Sequence, residues 1–338
     1  MATTDVYAEL IARLNYPPSA RLLQIMQKLV TPEEGKLLLN LPAQPEELAR
    51  KWGMDEGAVN KKIQEFQERG LAVKTRKGVL FDRDIVQLHD STLASSDKWV
   101  DTELLDLWKE FYEGEWRQSL MSIPPDLSMK VVRVLPAVKA IERSPGVSLD
   151  DLPPEENMRA LIKGAELLSA VVCPCRRSLR RCQSPINNCL QFNKGAEHSI
   201  NRGAGRKLSA EEAMALCDEA EEAGLIHTWP FALSPNLREI CNCCSDCCML
   251  FDPGLTFGTI GQVLEKARFR AQVDRDKCQG CQDCVERCFF GAIEMTKSPP
   301  GKKLKAAIDD AKCFGCGLCV VGCETGAITF RLAQTPEK

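Results

Sequence analysis

Leu22, Ile25, Met26 and Leu29 recur at helical spacing, and Val59, Ile63 and Phe66 do so further on, so each run presents one apolar stripe. Between them, Thr31-Pro32-Glu33-Glu34 carries the marks of a helix start. Thr31 is the N-cap, Pro32 opens the first turn, and Glu34 stands at the reciprocal position of a capping box. Pro45 to Lys51 predicts a short third helix, and Gly70 stops the fourth. Leu71, Val73, Val79 and Phe81 lie on either side of Arg76-Lys77-Gly78, which predicts two short strands and a turn. The polar stretch Asp90 to Asp97 reads as a linker. Trp99 to Leu120 predicts a helix with Leu104, Leu105, Trp108, Phe111 and Tyr112 on its buried side. Val131 to Val134 predicts a strand, Glu155 to Val172 a helix running into the first cysteines, and Ser209 to Gly224 a helix with a Ser209/Glu212 capping box.

The order of helices and hairpin over residues 19–85 resembles a winged helix-turn-helix, a fold that often binds DNA. Charge argues against that use here. The candidate recognition helix, Asp55 to Arg69, sets Lys61, Lys62 and Arg69 against Asp55, Glu56, Glu65 and Glu68, and residues 1–90 carry 13 basic and 13 acidic side chains. A DNA reader needs a surplus of cations on one face. A docking or dimerisation module is the expected role, with DNA binding as the less favoured one.

At 338 residues, 44% apolar and 27% charged, the chain has the composition of a globular protein of two or three domains. Its formal charge of −3 points to neither nucleic acid nor a membrane surface. No apolar run reaches the roughly 18 residues of a membrane span. Met1 to Leu14 lacks the basic-then-apolar pattern of a secretory signal, so the expected location is the cytoplasm.

All 18 cysteines lie between Cys173 and Cys323, which in a cytoplasmic chain favours metal binding over a disulfide framework. Cys217, inside the Ser209–Gly224 helix, stands alone and reads as a small buried residue. The last eight form a repeat. Asp274 to Met295 aligns with Asp309 to Phe330 at an offset of 35 residues, each copy ending in Gly-Ala-Ile. The first copy reads Cys278-x2-Cys281-x2-Cys284-x3-Cys288, the second Cys313-x2-Cys316-x2-Cys319-x3-Cys323. Three thiolates at i, i+3 and i+6 on a tight loop can wrap three irons of a cubane, and Gly280, Gly315 and Gly317 let the backbone approach it.

These motifs resemble a bacterial-type dicluster ferredoxin domain over about 60 residues of the tail. The resemblance implies two [4Fe-4S] clusters with crossed ligation: Cys278, Cys281, Cys284 and Cys323 for one, and Cys313, Cys316, Cys319 and Cys288 for the other. The alternative, a pair of zinc sites, leaves the three-plus-one repeat unexplained. The family's usual proline after the fourth cysteine is replaced by Phe289 and Glu324. A buried carboxylate at Glu324 would make the Cys323-ligated cluster the harder one to reduce.

A second group comprises Cys173, Cys175, Cys182 and Cys189, then Cys241, Cys243, Cys244, Cys247 and Cys248. Within it, Cys241, Cys244 and Cys247 repeat the i, i+3, i+6 spacing, a candidate loop for a further cubane. Zinc sites, or a redox-active pair at Cys243-Cys244 or Cys247-Cys248, are the alternatives. Val171 to Ala210 carries eight basic residues (Arg176, Arg177, Arg180, Arg181, Lys194, Arg202, Arg206 and Lys207) against Glu197 alone, which suits an anionic cluster, an acidic partner or a solvated loop. His198 and His227 read as ordinary residues. Gly203-Ala-Gly205 lacks the context of a nucleotide loop, and no catalytic set is visible.

The expected architecture is α+β and multidomain: a winged-helix-like segment at 1–90, a helical connector at 91–170, a helical Cys-rich metal or iron–sulfur segment at 171–270, and a dicluster ferredoxin segment at 271–332. The expected role is iron–sulfur electron transfer, as a subunit or dedicated redox partner of an anaerobic oxidoreductase, with one or two further [4Fe-4S] clusters or zinc in the middle segment. A redox-sensing transcriptional regulator is the alternative, and a terminal reductase a third.

Overall fold

The computed structural model describes residues 5–82, 84–120, 130–230, 238–297 and 303–333. The chain divides into two compact units. One takes in Met1–Ser119, Val171–Arg180 and His198–Arg206; the other takes in Leu120–Ala170, Arg181–Glu197 and Lys207–Lys338.

In the first unit the local signals of the sequence are realised. Helices Ala20–Leu29 and Pro32–Leu38 start at Ser19 and Thr31, and the Thr31/Glu34 capping box is closed in both directions. Helix Pro45–Trp52 follows, then Glu56–Glu68, capped by Asp55. The turn after it needs Gly70: φ is +76°, and a β-carbon there would lie 2.2 Å from the Ser91 carbonyl oxygen. Strands β1 (Ala72–Thr75) and β2 (Gly78–Phe81) pair antiparallel, with Thr75 opposite Gly78.

The polar stretch read as a linker is helical at its start. Helix Ile85–Leu93 buries Leu88, His89, Thr92 and Leu93, because its polar side chains are satisfied inside the unit. Thr92 Oγ1 donates to the Leu88 carbonyl, and His89 packs edge-on against Trp108 and Trp116. Helix Thr102–Phe111 runs into a wider turn at Tyr112–Trp116 and buries Leu104, Trp108, Phe111 and Tyr112, with Leu105 half-buried.

The second unit corrects the expectation of a helical middle segment. Its centre is a seven-stranded sheet of order β6-β4-β5-β8-β7-β3-β9. The strands are β3 (Val132–Leu135), β4 (Leu168–Val171), β5 (Cys189–Phe192), β6 (Arg206–Leu208), β7 (Ile226–Trp229), β8 (Arg238–Cys243) and β9 (Leu264–Glu265). The expected helix over 155–172 ends early: Met158–Lys163 is helical, and Leu168–Val171 is strand. All four residues of β4, and all four of β7, are buried. A strand covered on both faces shows no alternation, so its sequence cannot be told from buried helix.

Strand β10 (Phe269–Val273) pairs with β13 (Ile328–Leu332), and β11 (Ile293–Lys297) with β12 (Leu304–Ile308), all antiparallel. The strand entering the first repeat thus pairs with the one leaving the second. Neither copy could bury its apolar face alone, and their shared interior contains Phe269, Ile293, Val320, Ile328 and Phe330.

Candidate metal centres

The repeat builds two matching loops. Gly280 and Gly315 have φ of +79° and +73°, and β-carbons there would lie 2.4 Å from the Leu304 carbonyl oxygen and 2.3 Å from that of Phe269. Both glycines and both carbonyls are related by the 35-residue offset. The same offset relates Gln282 (φ +77°) to Gly317 (φ +87°), which begin the short helices Asp283–Glu286 and Leu318–Val321.

Each loop opens onto a cavity. One is lined by Cys278, Cys281, Cys284 and Cys323. The other is lined by Cys313, Cys316, Cys319 and Cys288. Three thiols of one repeat therefore face the fourth thiol of the other.

The cavities differ in exposure. Cys281 is exposed at the first, where Gln279, Gln282 and Asp283 are exposed too. The second is walled by Ala271, Ile308, Phe290, Phe314 and Phe330. Burial raises the Cys284 thiol to about 11 and the Cys316 thiol to about 12, and holds Cys319 well above its ordinary value. A soft cation would displace those protons on binding. Eight thiols in two fours, backbone closed in by glycine, and almost no charged lining suit iron–sulfur clusters. Glu324 is exposed, which overturns the expectation of a buried carboxylate beside Cys323. It follows Cys323 onto the surface, where water screens its charge.

The middle cysteines are divided between the two units. Cys173 and Cys175 belong to the first unit, at the start of helix Pro174–Leu179. In the second unit, the β5–β8 register sets Cys189 opposite Cys241. Hydrogen bonding with Cys189 and Cys243, then burial, holds the Cys241 thiol well above its ordinary value. Cys244 and Cys247, just past β8, gather instead with Cys182: Cys182 Sγ lies 3.9 Å from Cys244 Sγ and 3.8 Å from Cys247 Sγ. Asp246 completes a group whose four ligand atoms lie within 4.8 Å of one another, and Cys241 stands outside it. The spacing of Cys241, Cys244 and Cys247 divides at the strand end, because Cys241 is held in the sheet. Asp246 was legible only as the acidic residue inside Cys244-Ser-Asp-Cys247. Cys248 and Cys243 pack with Phe251 and Phe314 in an apolar cluster that Phe289, Phe290 and Cys316 join. Phe290 stacks on Phe314 at 4.1 Å between ring centroids and lies 6.0 Å from Phe251.

The basic stretch is engaged within the fold. Arg177 is buried and donates to the carbonyls of Leu93 (2.7 Å) and Ser95 (2.5 Å) and to Asp97 (2.5 Å). Arg202, also buried, donates to the Ser91 carbonyl and Ser95 Oγ. Arg180 pairs with Asp106, and Arg181 with Asp252. Arg177 and Arg202 serve the fold, so the solvated-loop reading does not describe them, whereas Arg180 and Arg181 are exposed, as in that reading. His227 is a buried network residue between Asn242 (2.5 Å) and Glu221 (3.3 Å), and Cys217 is buried in the apolar core.

Compared with known families, residues 277–327 match the 4Fe-4S dicluster domain. Among curated proteins, none matches the chain. The tail is a 4Fe-4S dicluster domain in a mixed α/β, multidomain chain. Among the described residues no helix is long and apolar enough to cross a membrane.

Proposed function

We propose that this chain is an electron-transfer component, a subunit or dedicated redox partner of an anaerobic oxidoreductase working in the cytoplasm, with functional segments at 1–90, 91–170, 171–270 and 271–332. A bound [4Fe-4S] cluster takes up and releases one electron at a time. Cys278, Cys281, Cys284 and Cys323 would hold one, and Cys313, Cys316, Cys319 and Cys288 the other. The observation that carries the reading is the pair of cavities, each lined by three thiols of one repeat and the fourth of the other.

Two further features support a relay with a direction. Cys281 is exposed, so a partner has access on that side. The cavity lined by Cys316 is walled by Phe314 and Phe290, which share an apolar cluster with Phe251, Cys243 and Cys248. Low polarity in that cluster would keep the reorganisation around a moving charge small.

We read the helix-and-hairpin part of the first unit as a winged-helix docking module. Lys62 and Arg69, two of the three cations on its candidate recognition helix, are bound to Glu34 and Glu65. That leaves little free charge for phosphate and speaks against the regulator reading.

The test is anaerobic purification followed by iron and sulfide analysis, EPR after dithionite, and two variants. About eight irons in the tail are expected. Cys323→Ser should perturb only the signal of the Cys278-Cys281-Cys284 cluster, and Cys288→Ser only the other. Colourless, EPR-silent protein refutes the reading, and a Cys323→Ser change in the Cys313-Cys316-Cys319 signal refutes the crossing.

A further inference from the structure

We propose that Cys182, Cys244, Cys247 and the Asp246 carboxylate form a mononuclear tetrahedral zinc site rather than the corner ligands of another cubane. The proposal extends the metal role of the middle segment and is independent of iron in the tail.

The sulfur spacing is the first observation. Cys182 Sγ lies 3.9 Å and 3.8 Å from its two partners. Four ligands around one zinc, with metal–sulfur bonds of about 2.3 Å, place sulfurs about 3.8 Å apart along a tetrahedral edge. A cubane binds each thiolate to a different iron, so its cysteine sulfurs stand on separate corners and farther apart. The tail shows the contrast: among the described residues, the ligand atoms of Cys182, Cys244, Asp246 and Cys247 gather within 4.8 Å of one another, and the cavity-lining thiols of the tail form no such group.

The carboxylate is the second. Asp246 Oδ1 is shut off from solvent and has no hydrogen-bond donor, although the residue sits between two of the thiols. A desolvated carboxylate oxygen without a donor is costly, and a cation at the centre of the group would satisfy it. Three soft sulfurs and one hard oxygen in a tetrahedron suit zinc.

Arg181 is the third. It precedes Cys182, donates to the Asp246 backbone carbonyl at 3.0 Å and pairs with Asp252 at 3.2 Å. It therefore fixes Cys182 against the turn and offsets the net negative charge that three thiolates and a carboxylate leave around a divalent ion. Four protein ligands close the site. Its role is to tie Cys182 to the turn 62 residues away that follows β8.

The full chain, purified without oxygen, should contain one zinc beyond the iron of the tail. Zinc-edge X-ray absorption should show three sulfurs at about 2.3 Å and one lighter atom at about 2.0 Å. Cobalt in place of zinc should give tetrahedral d–d bands, and Asp246→Cys should raise the thiolate-to-cobalt intensity by about one third, from three sulfurs to four. Cys182→Ser should lower zinc affinity at least tenfold, leaving the iron count and visible spectrum of the tail unchanged. Zinc-free protein in which Cys182→Ser removes about four irons overturns the proposal in favour of a cubane. Zinc bound by four sulfurs overturns the role of Asp246. If Cys182→Ser does not fold, the absorption edge of the unaltered protein decides. Protein that holds zinc but no iron would refute the tail reading and leave this one standing.

Discussion

Replacing Gly315 by Ala tests the idea that the cysteine loops form only where the backbone can come within touching distance of a neighbouring strand. Two costs add. The residue has φ of +73°, where an ordinary side chain costs about 1–2 kcal/mol. Its β-carbon would also lie 2.3 Å from the Phe269 carbonyl oxygen and 3.2 Å from Ala267 Cβ, so β10 must move, at about 1–3 kcal/mol. Gly326 is the control, because φ is +63° and a β-carbon would meet nothing within 4 Å. Gly315→Ala should thus cost about 2–5 kcal/mol and Gly326→Ala about 1–2 kcal/mol. At roughly 2–4 °C per kcal/mol, thermal bleaching of the visible absorbance should move down by about 4–20 °C for the first and about 2–8 °C for the second. Gly280→Ala, which meets the Leu304 carbonyl at 2.4 Å, should match Gly315→Ala in size but bleach the other cluster first, as EPR would resolve. If Gly315→Ala and Gly326→Ala shift the midpoint equally, close approach is not what these glycines provide.

Glu324 is exposed, so Glu324→Gln should leave both cluster midpoints unchanged in a redox titration; a clear rise in one would place the carboxylate against a cluster. Asp82 is wholly buried with neither carboxylate oxygen bonded, and burial, opposed by Arg202, raises it from 3.8 to about 8. Because the folded-state value is the higher one, its favourable contribution is complete below about pH 4 and is lost as pH rises to about 8. Asp82→Asn should gain on the parent protein from pH 6 to 8, by about 1.4 kcal/mol per pH unit at most, and level off above; a constant gap in thermal unfolding would show the group already ionised at pH 6. Arg177→Met strands the Leu93 and Ser95 carbonyls and should cost about 2–4 kcal/mol in denaturant unfolding, with Arg177→Lys recovering less than half; full recovery would mean that charge, not the fork of donors, matters.

Local chemistry was legible along the chain. The Thr31/Glu34 and Ser209/Glu212 boxes and the Gly70 stop involve partners within a turn or two, so neighbouring residues suffice to specify them. The same holds for each cysteine loop, whose three thiols are at most six residues apart, and the repeat itself announced two matching halves. Partnership over distance was not legible. Cys182 meets Cys244 and Cys247 because the turn after β8 brings them there, and nothing near Cys182 in sequence names its partners. Arg177 and Arg202 read as part of a basic stretch for an anionic cluster, an acidic partner or a solvated loop, but the carbonyls and hydroxyl that hold them lie more than 80 residues away. The central sheet was hidden for a related reason: with both faces of β4 and β7 covered, the alternation that marks a strand is absent. The amino-acid sequence by itself determined which groups could bind metal. Only the tertiary structure decided which of them share a centre, because that depends on backbone pairings between residues remote in the chain.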